Sequence, residues 1–147
     1  MLDFRTKKII GTLLFYLLWP LVWVYAPLQV RVRVIIRCSN EILVVKNWFG
    51  PNSWQLPGGG KKAGESAKDT AIREINEELG VVISIADLKL LTKNVLNINS
   101  YGLKFRNQYV FLDLTSKPNL KLSSEIAVAE WTRIKRAPIP EALLPSL

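Results

Sequence analysis

Apolar positions follow three different rhythms along this chain. An uninterrupted run comes first: residues 9–26, IIGTLLFYLLWPLVWVYA, hold 18 positions without a charge. Alternation follows in QVRVRVIIR over residues 29–37, where Val30, Val32, Val34 and Ile36 fall on one side and predict a strand with one buried face. Cys38, Ser39 and Asn40 supply a turn, and EILVVK over residues 41–46 reads as the returning strand of a hairpin. From Ser66 to Leu79 the period lengthens. Ile72, Ile75 and Leu79 form a helical stripe beside Ala67 and Ala71, and Gly80 suits the left-handed position that follows a helix. Further strands are predicted at residues 81–85, 88–96 and, most clearly, 105–114, with Tyr101 and Gly102 in the connection between the last two. Residues 117–124 form a polar connection, and Pro138, Pro140 and Pro145 make the tail a set of turns with at most one short helix. Strands on both sides of one long helix point to a mixed α/β sheet flanked by helices.

The first run sits near the lower length for a membrane-spanning helix, for which about 20 apolar residues are usual. Tyr16, Trp19, Trp23 and Tyr25 suit a membrane interface, while Pro20 introduces a kink or a re-entrant turn. The expectation is a retained membrane anchor over residues 1–28 and a catalytic domain over residues 29–147. A cleaved signal peptide ending at Ala26 and a buried N-terminal helix are the competing readings.

Charge adjusts this picture only slightly. The chain of 147 residues carries a net charge of +8, and Arg5, Lys7, Lys8, Arg31, Arg33 and Arg37 against Asp3 place +5 of it in the first 37 residues. A basic stretch beside an apolar run fits an anionic membrane surface better than nucleic acid, so no nucleic-acid partner is expected. The absence of histidine excludes a histidine-based triad, and a single cysteine, Cys38, excludes an intrachain disulfide.

The candidate chemistry lies on the long helix. Glu74, Glu77 and Glu78 stand at i, i+3 and i+4, which puts three carboxylates on one face. Like charges at that spacing cost a few tenths of a kcal/mol per pair, about 0.2–0.5. Hard oxygen donors in a cluster suit Mg²⁺ or Mn²⁺ bridging to phosphate. The plainer reading is a solvated acidic face with Arg73 paired to Glu77. Before the helix, Pro57 and the glycines Gly58, Gly59 and Gly60 form a loop whose backbone can approach a ligand closely. Trp48 and Phe49, just upstream, are candidates for stacking on a base or for ordinary packing.

The order of these residues adds more than their types. Gly59, five residues, Glu65, seven residues, then Arg73, Glu74, Ile75, Asn76, Glu77, Glu78, Leu79, Gly80 and Val81 fill every defined position of G-x5-E-x7-R-E-U-x-E-E-x-G-U. Residues 59–81 thus resemble the Nudix box, and Trp54, Gln55, Leu56, Pro57 and Gly58 resemble its usual entry. The resemblance, of MutT-like character, covers about residues 29–140. It implies an α/β/α sandwich, here preceded by an N-terminal hydrophobic helix, and a hydrolase that cleaves a diphosphate linkage in a nucleoside triphosphate or nucleoside diphosphate derivative.

By matching position, Glu74, Glu77 and Glu78 would bind Mg²⁺ or Mn²⁺ together with the carbonyl of Gly58. Arg73 would orient the glutamates and Glu65 would support them. Glu125, five residues before Glu130 and Trp131, matches a further metal ligand or base. The general base is then one of Glu77, Glu78 and Glu125. Two alternatives stay open: a hydrolase of lipid-linked or isoprenoid diphosphates at the membrane, and a binding module without turnover. The family's frequent homodimers extend to this chain as an expectation, as does a membrane-associated protein with its catalytic domain in the cytoplasm.

Overall fold

The computed structural model describes residues 3–25, 28–92, 95–100 and 103–147. Its sheet is built around one parallel pair, β1 (Val30–Cys38) with β5 (Leu103–Leu114), in a register that sets Val34 opposite Val110 and Ile36 opposite Leu112. On the far side of β1, β2 (Glu41–Asn47) and then β6 (Ile126–Arg133) pair antiparallel. β3 (Leu88–Leu90) and β4 (Leu96–Ser100) both pair antiparallel with β5. A parallel pair inside a sheet needs cover on both faces. One face, with Val32, Val34, Ile36, Val110 and Leu112, packs beneath helix α3 (Ala67–Leu79) through Ala71, Ile75 and Leu79. The opposite face, with Ile35, Ile42, Val44, Tyr109 and Phe111, is covered by Leu56 and by Leu143 from the C-terminal 3₁₀ turn Glu141–Ser146.

Both ends of α3 are fixed by local chemistry. Ser66 caps the N-terminus: its hydroxyl accepts from the Asp69 N–H at 3.1 Å, and the Asp69 carboxylate accepts from the Ser66 N–H at 3.0 Å. Gly80 ends the helix in the left-handed region at φ 66°, as its position after the apolar stripe predicts.

Several sequence expectations change here. β1 is covered on two faces and not one, because α3 packs on the Val32, Val34 and Ile36 side while Leu56 and Leu143 pack on the side of the buried Ile35. The strand expected at residues 81–85 is absent. Ser84 and Asp87 instead cap a 3₁₀ turn, Ile85–Asp87, whose side-chain bonds compete with strand pairing. Of residues 88–96, Leu88–Leu90 and Leu96 are in strands, while Lys93 and Asn94 lie outside the described residues, as do Tyr101 and Gly102. β6, not anticipated from the sequence, completes the other edge of the sheet.

The largest correction concerns the N-terminus. Residues expected as a membrane anchor form two helices, α1 (Phe4–Leu17) and α2 (Trp19–Tyr25), broken at Leu18. Pro20 has no N–H for a continuous helical ladder, which fits a restart at this point. The 14 residues of α1 rise about 21 Å, short of the roughly 30 Å of a bilayer core. No helix among the described residues is long and apolar enough to cross a membrane, which overturns the expected transmembrane helix and the membrane localisation built on it. Arg31 and Arg33, read above as part of a basic membrane-proximal stretch, belong to β1, and Arg37 pairs with Asp113 at 2.6 Å. The proposed cleavage residue Ala26 lies outside the described residues.

One face of α1 rests on the loop after β2. Lys8 Nζ donates to the carbonyls of Asn47, Gly50 and Pro51 at 2.7, 3.1 and 3.3 Å, and the Thr12 hydroxyl donates to Gly50 O at 3.3 Å.

Candidate active site

The box loop is stitched to β1 before its side chains enter. Val32 N–H donates to Gly59 O at 2.8 Å and Val34 N–H to Pro57 O at 2.9 Å, so Gly58 lies against the β1 backbone. Its φ is 125°, a region that favours glycine, and a Cβ there would stand 2.1 Å from Val32 O. The Gly58 N–H in turn donates to Glu78 Oε2 at 2.9 Å. This hydrogen bond joins the glycine loop to the acidic face of α3.

Glu78 is 7% exposed, and its desolvation pushes its carboxyl up to about 7, against the hydrogen bond from Gly58, with Glu74 and Glu125 adding to the rise. Glu78 therefore feels the charge of both Glu74 and Glu125. Glu125 arrives from the loop before β6, which is held to α3 by Lys121 N–H donating to Leu79 O at 2.8 Å and Ser123 N–H to Glu78 O at 2.9 Å. Glu125 itself is exposed, and its backbone carbonyl accepts from Trp48 N–H at 3.2 Å.

Arg73 organises the remaining acids. It grips Glu65 in a fork, Nε to Oε1 at 2.7 Å and Nη2 to Oε2 at 3.1 Å, while Nη1 donates to Glu74 Oε1 at 2.6 Å and Glu77 Oε2 at 3.1 Å. Nη2 also donates to Gly60 O at 3.0 Å. These five hydrogen bonds match the donor capacity of a guanidinium, so Arg73 is committed to positioning. Glu77, with its side chain 57% exposed, stands at the margin of the cluster.

The hydrogen bond from Arg73 holds the Glu65 carboxyl down at about 2, with the Lys62 N–H helping. A depressed acid stabilises the fold above its unfolded value and loses that contribution as pH falls toward the folded value. Glu65→Gln should therefore flatten the loss of thermal stability between about pH 4.5 and pH 2. Melting curves across that window would test this, and an unchanged acid limb would show that the pair does not act in this way.

The donor set suits a divalent cation chemically: the carboxylates are hard oxygen ligands, and like charges gather around a buried one. Among the described residues, however, no group of three or more acids converges as a ready-made metal cage. Gly58 O accepts from Arg33 Nη1 at 3.1 Å, and the same nitrogen donates to Leu56 O at 3.0 Å.

Arg33 and Arg31 are site residues that the sequence reading missed. Both project from the β1 face opposite α3 into a cavity of about 530 Å³, lined also by Phe15, Phe49, Trp54 and Asn107. Burial pushes Arg33 down to about 10, and both arginines feel the opposing charges of Glu74 and Glu78. Arginines alternating with valines along residues 30–34 were the available signal; what the sequence lacked was any sign that the arginine face would be covered. Phe49 lines this cavity, whereas Trp48 packs against α1 at Gly11.

Comparison with known proteins places these features in context. The family model described as NUDIX domain matches residues 27–146. RNA pyrophosphohydrolase of Pasteurella multocida is 35% identical over 85 residues, 58% of this chain and 39% of that protein. Nudix hydrolase 25 of Arabidopsis thaliana is 42% identical over 48 residues, 33% of this chain and 27% of that protein. The chain thus spans well under two thirds of the length of these curated relatives. Among solved structures, a MutT/nudix family protein from Enterococcus faecalis superposes with a TM-score of 0.63 at 24% identity, covering 71% of this chain and 43% of that one. A bifunctional NMN adenylyltransferase/ADP ribose pyrophosphatase from Francisella tularensis, complexed with AMP and a Mn ion, gives 0.64 at 20% identity over 82% of this chain and 39% of that one. At these identities the structural likeness concerns the fold.

Proposed function

Because the chain belongs to the Nudix family, with the NUDIX domain model matching residues 27–146, we propose that it is a pyrophosphohydrolase. Its substrate is a nucleoside triphosphate or nucleoside diphosphate derivative, cleaved at a diphosphate linkage with a divalent cation, Mg²⁺ or Mn²⁺. The observation that carries this reading is the position of Glu78. Its buried carboxylate is fixed by the Gly58 N–H, lies within the field of Glu74 and Glu125, and feels the opposing charge of Arg33, which lines the cavity on the other face of β1.

Glu74, Glu77, Glu78 and Glu125, with the Gly58 carbonyl, are the groups that would hold the cation. When bound, the cation supplies neutralisation of phosphate charge and activation of water. The chain's own contribution is positional and acid–base. Arg73 fixes one oxygen each of Glu74 and Glu77. Arg31 and Arg33 offer positive charge to the substrate phosphates, a role in which guanidinium groups excel. Proton removal from the attacking water falls to a carboxylate whose conjugate acid lies near neutrality. Glu78 Oε1, the oxygen not bonded to Gly58, is our assignment, with Glu77 and Glu125 as the other bases within the acid group.

A phosphate-release screen of the full chain tests the proposal, using nucleoside triphosphates, ADP-ribose, dinucleoside polyphosphates, 5′-triphosphorylated oligoribonucleotides and isoprenoid diphosphates. Release from one nucleotide class with Mg²⁺ or Mn²⁺, abolished by chelation and restored by the cation, is the expected result. A folded protein whose melting temperature rises with cation but which turns over no nucleotide would overturn it in favour of a binding module.

A further inference from the structure

We propose that helix α1 forms a wall of the substrate cavity and that Phe15 on it is a specificity-determining residue for a nucleobase. The inference rests on the hydrolase reading above and deepens it. α1 lies wholly outside the residues matched by the family model, which begin at 27.

The helix is fitted to its place rather than leaning there. Lys8, Gly11, Thr12 and Phe15 are spaced three and four apart, which puts them on one face. Lys8 and Thr12 bond the carbonyls of the loop after β2, as described above. Gly11 is the point of closest approach: a Cβ would stand 2.3 Å from Trp48 O and 2.7 Å from the Trp48 ring, so a larger residue would lift the helix away. Phe15, one turn on, meets Phe49 edge to face with ring centroids 5.9 Å apart, and both rings line the cavity. The opposite face of α1 presents Leu13 and Leu17, which are 66% and 78% exposed.

The chemistry of the lining selects the ligand. Arg31 and Arg33 feel Glu74 and Glu78 and so belong to the phosphate part of the cavity. Phe15 and Phe49 offer aromatic surface, which favours a planar group. Two carboxamide oxygens on residues of the lining, Asn47 Oδ1 and Asn107 Oδ1, are buried without a hydrogen-bond partner among the described residues, and Asn107 is itself only 7% exposed. The carboxamides of Asn47 and Asn107 on the lining carry both donors and acceptors, which suits the polar edge of a planar base. A nucleobase supplies both the plane and the polar edge; a prenyl chain supplies neither.

The test is calorimetric titration of the full chain with the four common nucleoside 5′-diphosphates and with inorganic pyrophosphate, under chelation so that neither cation nor turnover enters. Phe15→Ala should weaken binding of the preferred nucleoside diphosphate about tenfold and leave pyrophosphate binding unchanged. Phe15→Leu should fall between, and Leu13→Ala, on the exposed face, should change neither. Should Phe15→Ala fail to fold, Phe15→Leu carries the comparison. Unchanged nucleoside binding in the Phe15 variants, equal loss of both ligands, or a wild-type protein that binds no nucleoside diphosphate more tightly than pyrophosphate would each overturn the inference. Because binding is read without hydrolysis, a silent activity screen leaves this result standing on its own, and an active enzyme indifferent to Phe15 refutes the inference alone.

Discussion

Glu78→Gln should reduce hydrolysis by roughly 10²–10⁴-fold while making the metal-free protein more stable at pH 8. The two effects share one cause. The buried Glu78 carboxyl titrates near 7 instead of 4.5, so ionising it works against the folded state. A raised acid of this kind favours folding while protonated. In the metal-free protein, stability therefore declines as pH rises from about 4.5 through 7, by on the order of 3 kcal/mol in total. Glutamine keeps an oxygen for the Gly58 N–H, now 2.9 Å from Oε2, and removes the charge. Melting curves with and without Mg²⁺ separate the two states: the cation should raise the wild-type midpoint and leave the variant nearly unmoved. A variant that retains wild-type turnover would remove Glu78 from the chemistry. One that loses turnover but is less stable than wild type at pH 8 would show that its burial carries no such penalty.

Gly58→Ala should be the most damaging small substitution in the domain. The added methyl would meet backbone on every near side, 2.1 Å from Val32 O, 3.1 Å from Val32 C and 3.3 Å from Arg33 Cα, at a φ of 125° that alanine rarely adopts. Relief requires the box loop to leave β1. That would strain the bonds of Val32 and Val34 to the loop and draw the Gly58 N–H from Glu78. A loss of roughly 3 kcal/mol or more is expected, at the exceptional end for a single substitution. Gly64 supplies the control. Its φ of 81° is also left-handed, but a Cβ there would meet nothing within 4 Å, so Gly64→Ala should cost only the conformational strain of about 1–2 kcal/mol. Urea unfolding of the three proteins would compare them, and equal losses at the two glycines would refute the steric argument.

The contrast between these glycines bears on how much of the molecule the sequence could declare. Local signals carried far. The apolar stripe of Ile72, Ile75 and Leu79, ended by Gly80, located α3, because a helix face and its cap are decided by residues three and four apart. The alternation around Val32, Val34 and Ile36 located β1, and the spacing from Gly59 to Val81 identified the family, since that pattern is written within one stretch of chain.

Other features depended on what lies opposite. Ser84 could have continued a strand, but no partner claims residues 81–85 and its side chain bonds locally instead. The eighteen uncharged residues at the N-terminus carried the hydropathy of a span, yet their break at Leu18 and the docking of Lys8, Gly11 and Thr12 on the loop after β2 are matters of tertiary contact. Arg31 and Arg33 illustrate the same division. Their alternation with valine placed them on the second face of β1, where the sequence had no means to report a cover. Parallel pairing with β5 makes β1 a central strand, and the turns after β6 help to roof that second face. Hydrophobic period reports which side chains share a face and says nothing of what comes to lie against it. The sequence alone thus determined the helix, the strand and the family. Only the folded chain decided that two arginines and a phenylalanine from α1 face one cavity, because residues so far apart in sequence meet through packing and not through any local pattern.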